Sequence, residues 1–136
     1  MIDSVFVYGT LKRGQCRESC WPVQPLRVTS GWVRGALYGR EDYPALLPGE
    51  HHVAGELWTF DAATMPTVLS VLDEIEGTDG NSADDLYHRH WVQVHDDAGE
   101  VIATAYSYFY HRDPIADGFF LVPTCGEKQF WPTEAR

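Results

Sequence analysis

The hydrophobic pattern changes period several times along the chain, and each change predicts an element. Ser4 to Tyr8 is apolar without interruption by charge, the signature of a short buried strand, and it stops abruptly at Gly9. Glycine and proline punctuate Gly9 to Arg27, which predicts a long connection containing at most a helical turn. Gly31 to Tyr38 and Val53 to Phe60 alternate as strands do, with Tyr43-Pro44 and Pro48-Gly49 marking a loop between them. The helical pattern runs from Asp61 to Glu76. Leu86 to His95 and Val101 to Tyr110 read as strands joined in a hairpin by Asp96-Asp97-Ala98-Gly99. The acidic, glycine-bearing loop Thr78 to Asp85 is expected to be exposed and mobile, serving as a linker or as a lid. From Asp113 onwards no period is sustained. One helix among so many strands predicts a curved, mostly antiparallel sheet closing around that helix.

Within the helix, Thr64 is placed to cap the start, Pro66 suits the first turn, and Gly77 suits a left-handed stop. Met65, Val68, Leu69, Leu72 and Ile75 form the core-facing stripe. At about 100° per residue, Glu74 falls nearly opposite that stripe and Asp73 beyond its edge. Glu76 falls inside it, four residues after Leu72 and seven after Leu69. Three readings of this inward carboxylate stand side by side: it swings to water in a fraying last turn, it pairs with a buried arginine, or it transfers protons. The negative end of the helix dipole and partial burial both raise a carboxyl pKa, which suits the third.

Composition narrows the class. The 136 residues suffice for one domain spanning 1–136 with a core of its own. Twenty acids against ten Lys and Arg give a net charge of -10, which argues against nucleic acid and anionic membranes as partners. Cys16, Cys20 and Cys125 form no disulfide framework and no close zinc spacing, so free thiols in a reducing cytosol are expected. No apolar run reaches membrane-spanning length, and Met1-Ile2-Asp3-Ser4 lacks the basic start of a secretory signal. A cytoplasmic protein is expected.

The chemistry-bearing candidates each have a plain alternative. Gly9-Thr10-Leu11 either ends a strand or presents successive backbone N–H groups to a ligand. Lys12-Arg13-Gly14 lacks the spacing of a phosphate loop. His88 and His90 share a strand face, half of a zinc site with no evident third ligand. Tyr87, Arg89 and Trp91 share the opposite face, and Tyr106, Tyr108 and Tyr110 one face of the next strand. Such a ladder either packs or, through Arg89, recognises a carboxylate. No Gly-x-Ser-x-Gly elbow is present and no cysteine has an obvious histidine partner.

Together, "FVYGTLKRGQ", "YPALLPGEH", "LDEIEG" and "LYHRHWVQV" resemble, in this order, the gamma-glutamylcyclotransferase-like family, and within it the gamma-glutamylamine cyclotransferase branch. The resemblance covers roughly residues 4 to 110; after Tyr110 little of the tail 111–136 matches it. It implies an α+β fold, a small mixed, mostly antiparallel β-barrel with flanking helices. It also implies a reaction in which a gamma-glutamyl group closes on itself, releasing 5-oxoproline and a free amine. The family's catalytic glutamate falls on Glu76, and its substrate loop on Tyr8, Gly9, Thr10 and Leu11. Tyr43, Arg89 and Tyr108 complete the expected substrate-binding set. Neither a metal nor an organic cofactor is expected, and the expected partner is a small gamma-glutamyl compound. A binding module without turnover is the alternative; a metal-dependent hydrolase built on His88 and His90 is a weaker third. The leaving amine and the oligomeric state are left open.

Overall fold

The unbroken apolar start becomes strand β1 (Ser4–Val7), and its lack of alternation has a direct cause: both of its faces are buried. Val5 and Val7 enter one core cluster, Phe6 and the adjoining Tyr8 another. The structure is a computed structural model describing residues 2–132; Met1 of the N-terminal Met1-Ile2-Asp3-Ser4 and the last four residues of the tail 111–136 lie outside the described residues.

Four longer strands surround β1: β2 (Arg27–Gly39), β3 (Pro44–Thr59), β4 (Tyr87–His95) and β5 (Val101–Tyr110). They run in the order β2-β4-β5-β1-β3, and a further pairing of β3 with β2 closes a five-stranded mixed barrel. Only the β1–β5 contact inside the barrel is parallel, through Val5 and Tyr106. All five strands supply the inner cluster, including Phe6, Val33, Leu37, Leu46, Val53, Leu57, Val92, Val94 and Ala105. The barrel therefore closes on its own side chains and not around the helix. Helix α1 (Met65–Glu76) lies outside, packing Met65, Val68 and Leu72 against Val5, Val7, Trp58 and Phe60.

Two turn signals act differently from the expectation. The loop between β2 and β3 is confined to residues 40–43, closed by Arg40 N–H donating to the Tyr43 carbonyl at 3.1 Å. Pro44 starts β3, where a missing N–H costs little. Pro48-Gly49-Glu50 forms a bulge: Gly35 pairs with His51 and Ala36 with Leu47. Gly49 fits there because a Cβ would lie 2.7 Å from the Ala36 Cβ and 3.0 Å from its nitrogen.

The start of α1 also differs. Asp61 is the capping side chain, accepting from Ala63 N–H ahead of a short 3-10 turn at Ala62–Thr64, while Thr64 makes no cap bond. Gly77 stops the helix in the left-handed region, with φ 73°. The following loop is exposed from 79 to 84, as expected, and is tied together by a buried carboxylate at its end. The buried Asp85 carboxylate accepts from Asp79 N–H (2.7 Å), Ser82 N–H (2.8 Å) and the Thr78 hydroxyl (3.0 Å), and these donors hold its pKa below the ordinary value.

The aperiodic tail adds β6 (Phe120–Leu121) to β2 and β7 (Lys128–Gln129) to β3. Gln129 is fully buried and fully satisfied: its Oε1 accepts from Leu37 N–H at 2.8 Å, and its Nε2 donates to Val122 O at 2.6 Å and Leu37 O at 3.3 Å. Gln129→Leu strands those groups without partners, so stability should drop by about 2–4 kcal/mol. Urea denaturation measures it, and an unchanged midpoint would show that the tail does not hold the barrel. Among the described residues no helix is long and apolar enough to cross a membrane. The three cysteines are exposed and free.

Candidate active site

The three acids at the end of α1 go three ways, as the helical wheel separates them. Glu74 is exposed. Asp73 accepts from Arg89 Nη1 at 2.7 Å and from the Tyr108 hydroxyl at 2.6 Å. Glu76 enters a cavity of about 150 Å³ and is the only acid lining it among the described residues. Its side chain is 17% exposed, and the loss of water there pushes its pKa up to about 7, against a smaller downward pull from Arg17. Arg17 approaches it to 4.0 Å but is itself 44% exposed, so the carboxylate has no buried arginine partner there.

The segment after β1 shares this cavity with Glu76. Tyr8, Gly9, Thr10 and Leu11 all line the cavity, together with Tyr43 and Tyr108. Its carbonyls are taken: Gly9 O accepts from Lys12 N–H (3.1 Å), Thr10 O from Arg17 N–H (2.8 Å) and Leu11 O from Trp21 Nε1 (2.9 Å). Trp21 is in turn stacked on Trp58 with ring centroids 4.4 Å apart. The amides of Gly9, Thr10 and Leu11, by contrast, have no partner among the described residues. Tied carbonyls and unspent successive amides make a polar concavity suited to an anion or a developing oxyanion.

Gly9 has a steric reason as well. A Cβ there would sit 2.5 Å from Pro44 Cγ, so the glycine lets the tip of the β2–β3 hairpin close on the loop. The Tyr8 hydroxyl donates to Tyr108 O at 2.6 Å and the Tyr87 hydroxyl to Pro44 O at 2.8 Å, fixing the walls. Burial first, and the nearby Glu76 charge among the lesser causes, raise both phenol pKa values, so these groups stay neutral.

Arg89 is not brought to this cavity. Its guanidinium is committed to Asp73 and lies 5.1 Å over the Tyr106 ring. Arg17 is the cation that lines the cavity instead. It sits in the turn-rich connection, where no periodicity signals direction; only its closeness in sequence to Gly9 pointed there. His88 and His90 open on a separate groove, where His88 stacks on His111 at 3.6 Å and its Nε2 donates to Ser82 O at 2.7 Å. Among the described residues no three His, Cys, Asp or Glu are grouped to hold a metal.

With that geometry in place, comparison with known proteins becomes informative. The family described as "Gamma-glutamyl cyclotransferase, AIG2-like" matches residues 5–123. Among solved structures, an AIG2-like protein from Mus musculus superposes with a TM-score of 0.63 at 24% identity, covering 99% of each chain. YtfP from Escherichia coli gives 0.55 at 29% identity, over 95% of this chain and 96% of that one. YkqA from Bacillus subtilis gives 0.62 at 22% identity, over 90% of this chain but 38% of that one, so this chain spans well under half of YkqA. No curated protein matches at the level of sequence.

Proposed function

The chain belongs to the gamma-glutamyl cyclotransferase, AIG2-like family, and from that premise we propose that it converts a gamma-glutamyl amine or peptide into 5-oxoproline and a free amine, with Glu76 as general acid and base. The observation that carries this reading is the desolvated Glu76 carboxylate, the only acid among the described residues lining a small cavity that is also lined by Gly9 to Leu11, whose amides are unspent.

The chemistry asks for those parts. The substrate's α-ammonium must lose a proton before its nitrogen can attack, and a carboxylate with a pKa about 7 accepts that proton far more readily than one near 4.5. The amine nitrogen then bonds to the γ-carbonyl carbon, and negative charge develops on the carbonyl oxygen, which the loop amides stabilise. Glu76 returns the proton to the leaving nitrogen, the old C–N bond breaks, the new ring nitrogen sheds its second proton to the departing amine through Glu76, and 5-oxoproline and the protonated amine depart. Ring closure is intramolecular, so holding the glutamyl chain folded supplies much of the acceleration. A cavity of about 150 Å³ suits one folded glutamyl group, with the amine directed to the exposed Leu86 at its wall.

The test is incubation of the purified protein with gamma-glutamyl amines, gamma-glutamyl dipeptides and glutathione, followed by assay of 5-oxoproline. At least one compound should yield it, with chelator present or absent. Saturable binding of the panel with no 5-oxoproline at any pH would identify a binding module, and activity lost to EDTA and restored by zinc would transfer the chemistry to His88 and His90.

A further inference from the structure

Glu76 has a companion that this mechanism has not used. Arg17 is the only cation lining the cavity among the described residues, and its guanidinium donates no hydrogen bond to any of them. Its carboxylate neighbour, Glu76 Oε2, lies at 4.0 Å, beyond hydrogen-bond reach. Three other arginines are committed, Arg40 to Asp42 at 2.9 Å, Arg89 to Asp73 at 2.7 Å and Arg112 to Asp84 O at 2.8 Å, and Arg13 and Arg34, each only within 3.8 Å of a carboxylate, lie away from the cavity. An arginine fork held at a cavity with its donors unspent is built for a planar, two-oxygen anion.

The substrate class supplies one. The α-carbon of a gamma-glutamyl group carries an ammonium and a carboxylate on a single atom. The cavity offers one anion and one cation 4.0 Å apart, the complement of that pair. A chain of net charge -10 otherwise repels a carboxylate, so capture depends on a local cation. The Arg17 backbone is also part of the site, because its N–H is bonded to Thr10 O at 2.8 Å and so moves with the loop amides.

We propose that Arg17 binds the α-carboxylate of the gamma-glutamyl group, turning from Glu76 to the ligand as it enters. The attacking nitrogen, one bond from the α-carbon, is thereby delivered beside Glu76, while the loop amides remain for the γ-carbonyl. Turning the guanidinium away also withdraws the charge that opposes the rise in the Glu76 pKa, so occupancy makes the base stronger. The other titratable groups around it are the phenols of Tyr8, Tyr43, Tyr87 and Tyr108, and burial raises the pKa of Tyr8, Tyr87 and Tyr108. This assignment rests on the cyclotransferase reading, and the experiment separates the two.

Arg17→Met and Arg17→Lys are compared with the parent on a gamma-glutamyl alkylamine and on the analogue lacking the α-carboxylate. Arg17→Met should raise KM by about 10- to 100-fold on the carboxylate-bearing substrate, with a much smaller change in kcat, and Lys should recover part of the loss. The analogue, already a poor ligand, should lose nothing more. In the kcat/KM profile the acid limb should move to higher pH in Arg17→Met, as the free enzyme's Glu76 loses its cation. Calorimetric titration with 5-oxoproline, which keeps the same carboxylate, repeats the comparison without turnover. Arg17-dependent binding with no turnover of any gamma-glutamyl compound would refute the cyclotransferase reading and leave the carboxylate site standing. Equal losses on both substrates, or unchanged KM and 5-oxoproline affinity in Arg17→Met, would overturn the assignment of Arg17.

Discussion

Glu76→Gln should cut 5-oxoproline formation by about 10² or more and, at the same time, make the protein more stable at neutral pH. The two effects share one cause. The folded state holds the carboxyl pKa at about 7 against a reference of 4.5, mainly by excluding water. Between those values the folded protein binds more protons than the unfolded chain, so stability falls as pH rises through the window, and the cost is complete above about 7. At roughly 1.4 kcal/mol per pKa unit the upper limit is about 3 kcal/mol. Glutamine keeps the shape and carries no such cost. Its variant should match the parent in urea at pH 4 and exceed it at pH 8. Asp73→Asn should reduce turnover far less, since Asp73 is occupied with Arg89 and Tyr108 outside the reacting centre. An active Glu76→Gln enzyme, or one destabilised equally at both pH values, would show that the carboxylate is structural.

Gly9→Val carries the second large effect. Its Cβ has to displace Pro44, whose Cγ lies 2.5 Å from that position, and both loop and hairpin tip line the cavity. A loop shifted by the order of 1 Å loses about 10² in kcat/KM through misplacement alone. Overpacking should cost about 1–3 kcal/mol besides. The smaller Gly9→Ala, made with and without Pro44→Ala, isolates the cause. If Pro44 is the obstacle, trimming its ring restores much of the lost activity. A defect that persists undiminished in the double variant would point to direct contact between ligand and backbone.

What the sequence revealed, and what it hid, follows from the range of each interaction. The direction of Glu76 was legible because a helical wheel is local geometry: five apolar residues over about three turns fix where the sixth position points. The buried start of β1 was legible for a similar reason, although its two cores were not. Pro48-Gly49 misled because turn residues report a local change in backbone and do not say whether pairing resumes beyond it; here β3 bulges and continues. Arg89 was read as sharing a strand face with Tyr87 and Trp91 and as a candidate for a substrate carboxylate, yet the acid it meets lies on α1, a pairing that no period encodes. The same blindness concealed Arg17, which reaches Glu76 across 59 positions of chain from a segment without regular structure. The tail was unreadable since its anchors, the buried Gln129 with Phe119, Val122 and Trp131, follow no period.

The link from the Tyr8 hydroxyl to the Tyr108 carbonyl spans 100 positions, which bears on the order in which the molecule assembles. β2 and β3 can zip from their own turn, as can β4 and β5, because each pair closes only a short loop. β1 has no such neighbour on its β5 side; it must wait for the far end of the chain to be made and arranged before that seam shuts. The wall that carries Tyr108 therefore arrives late, and the cavity it closes is a late product of folding. During synthesis, the emerging chain presents Gly9 to Leu11 long before it can enclose anything with them, and competence appears only when the barrel seals.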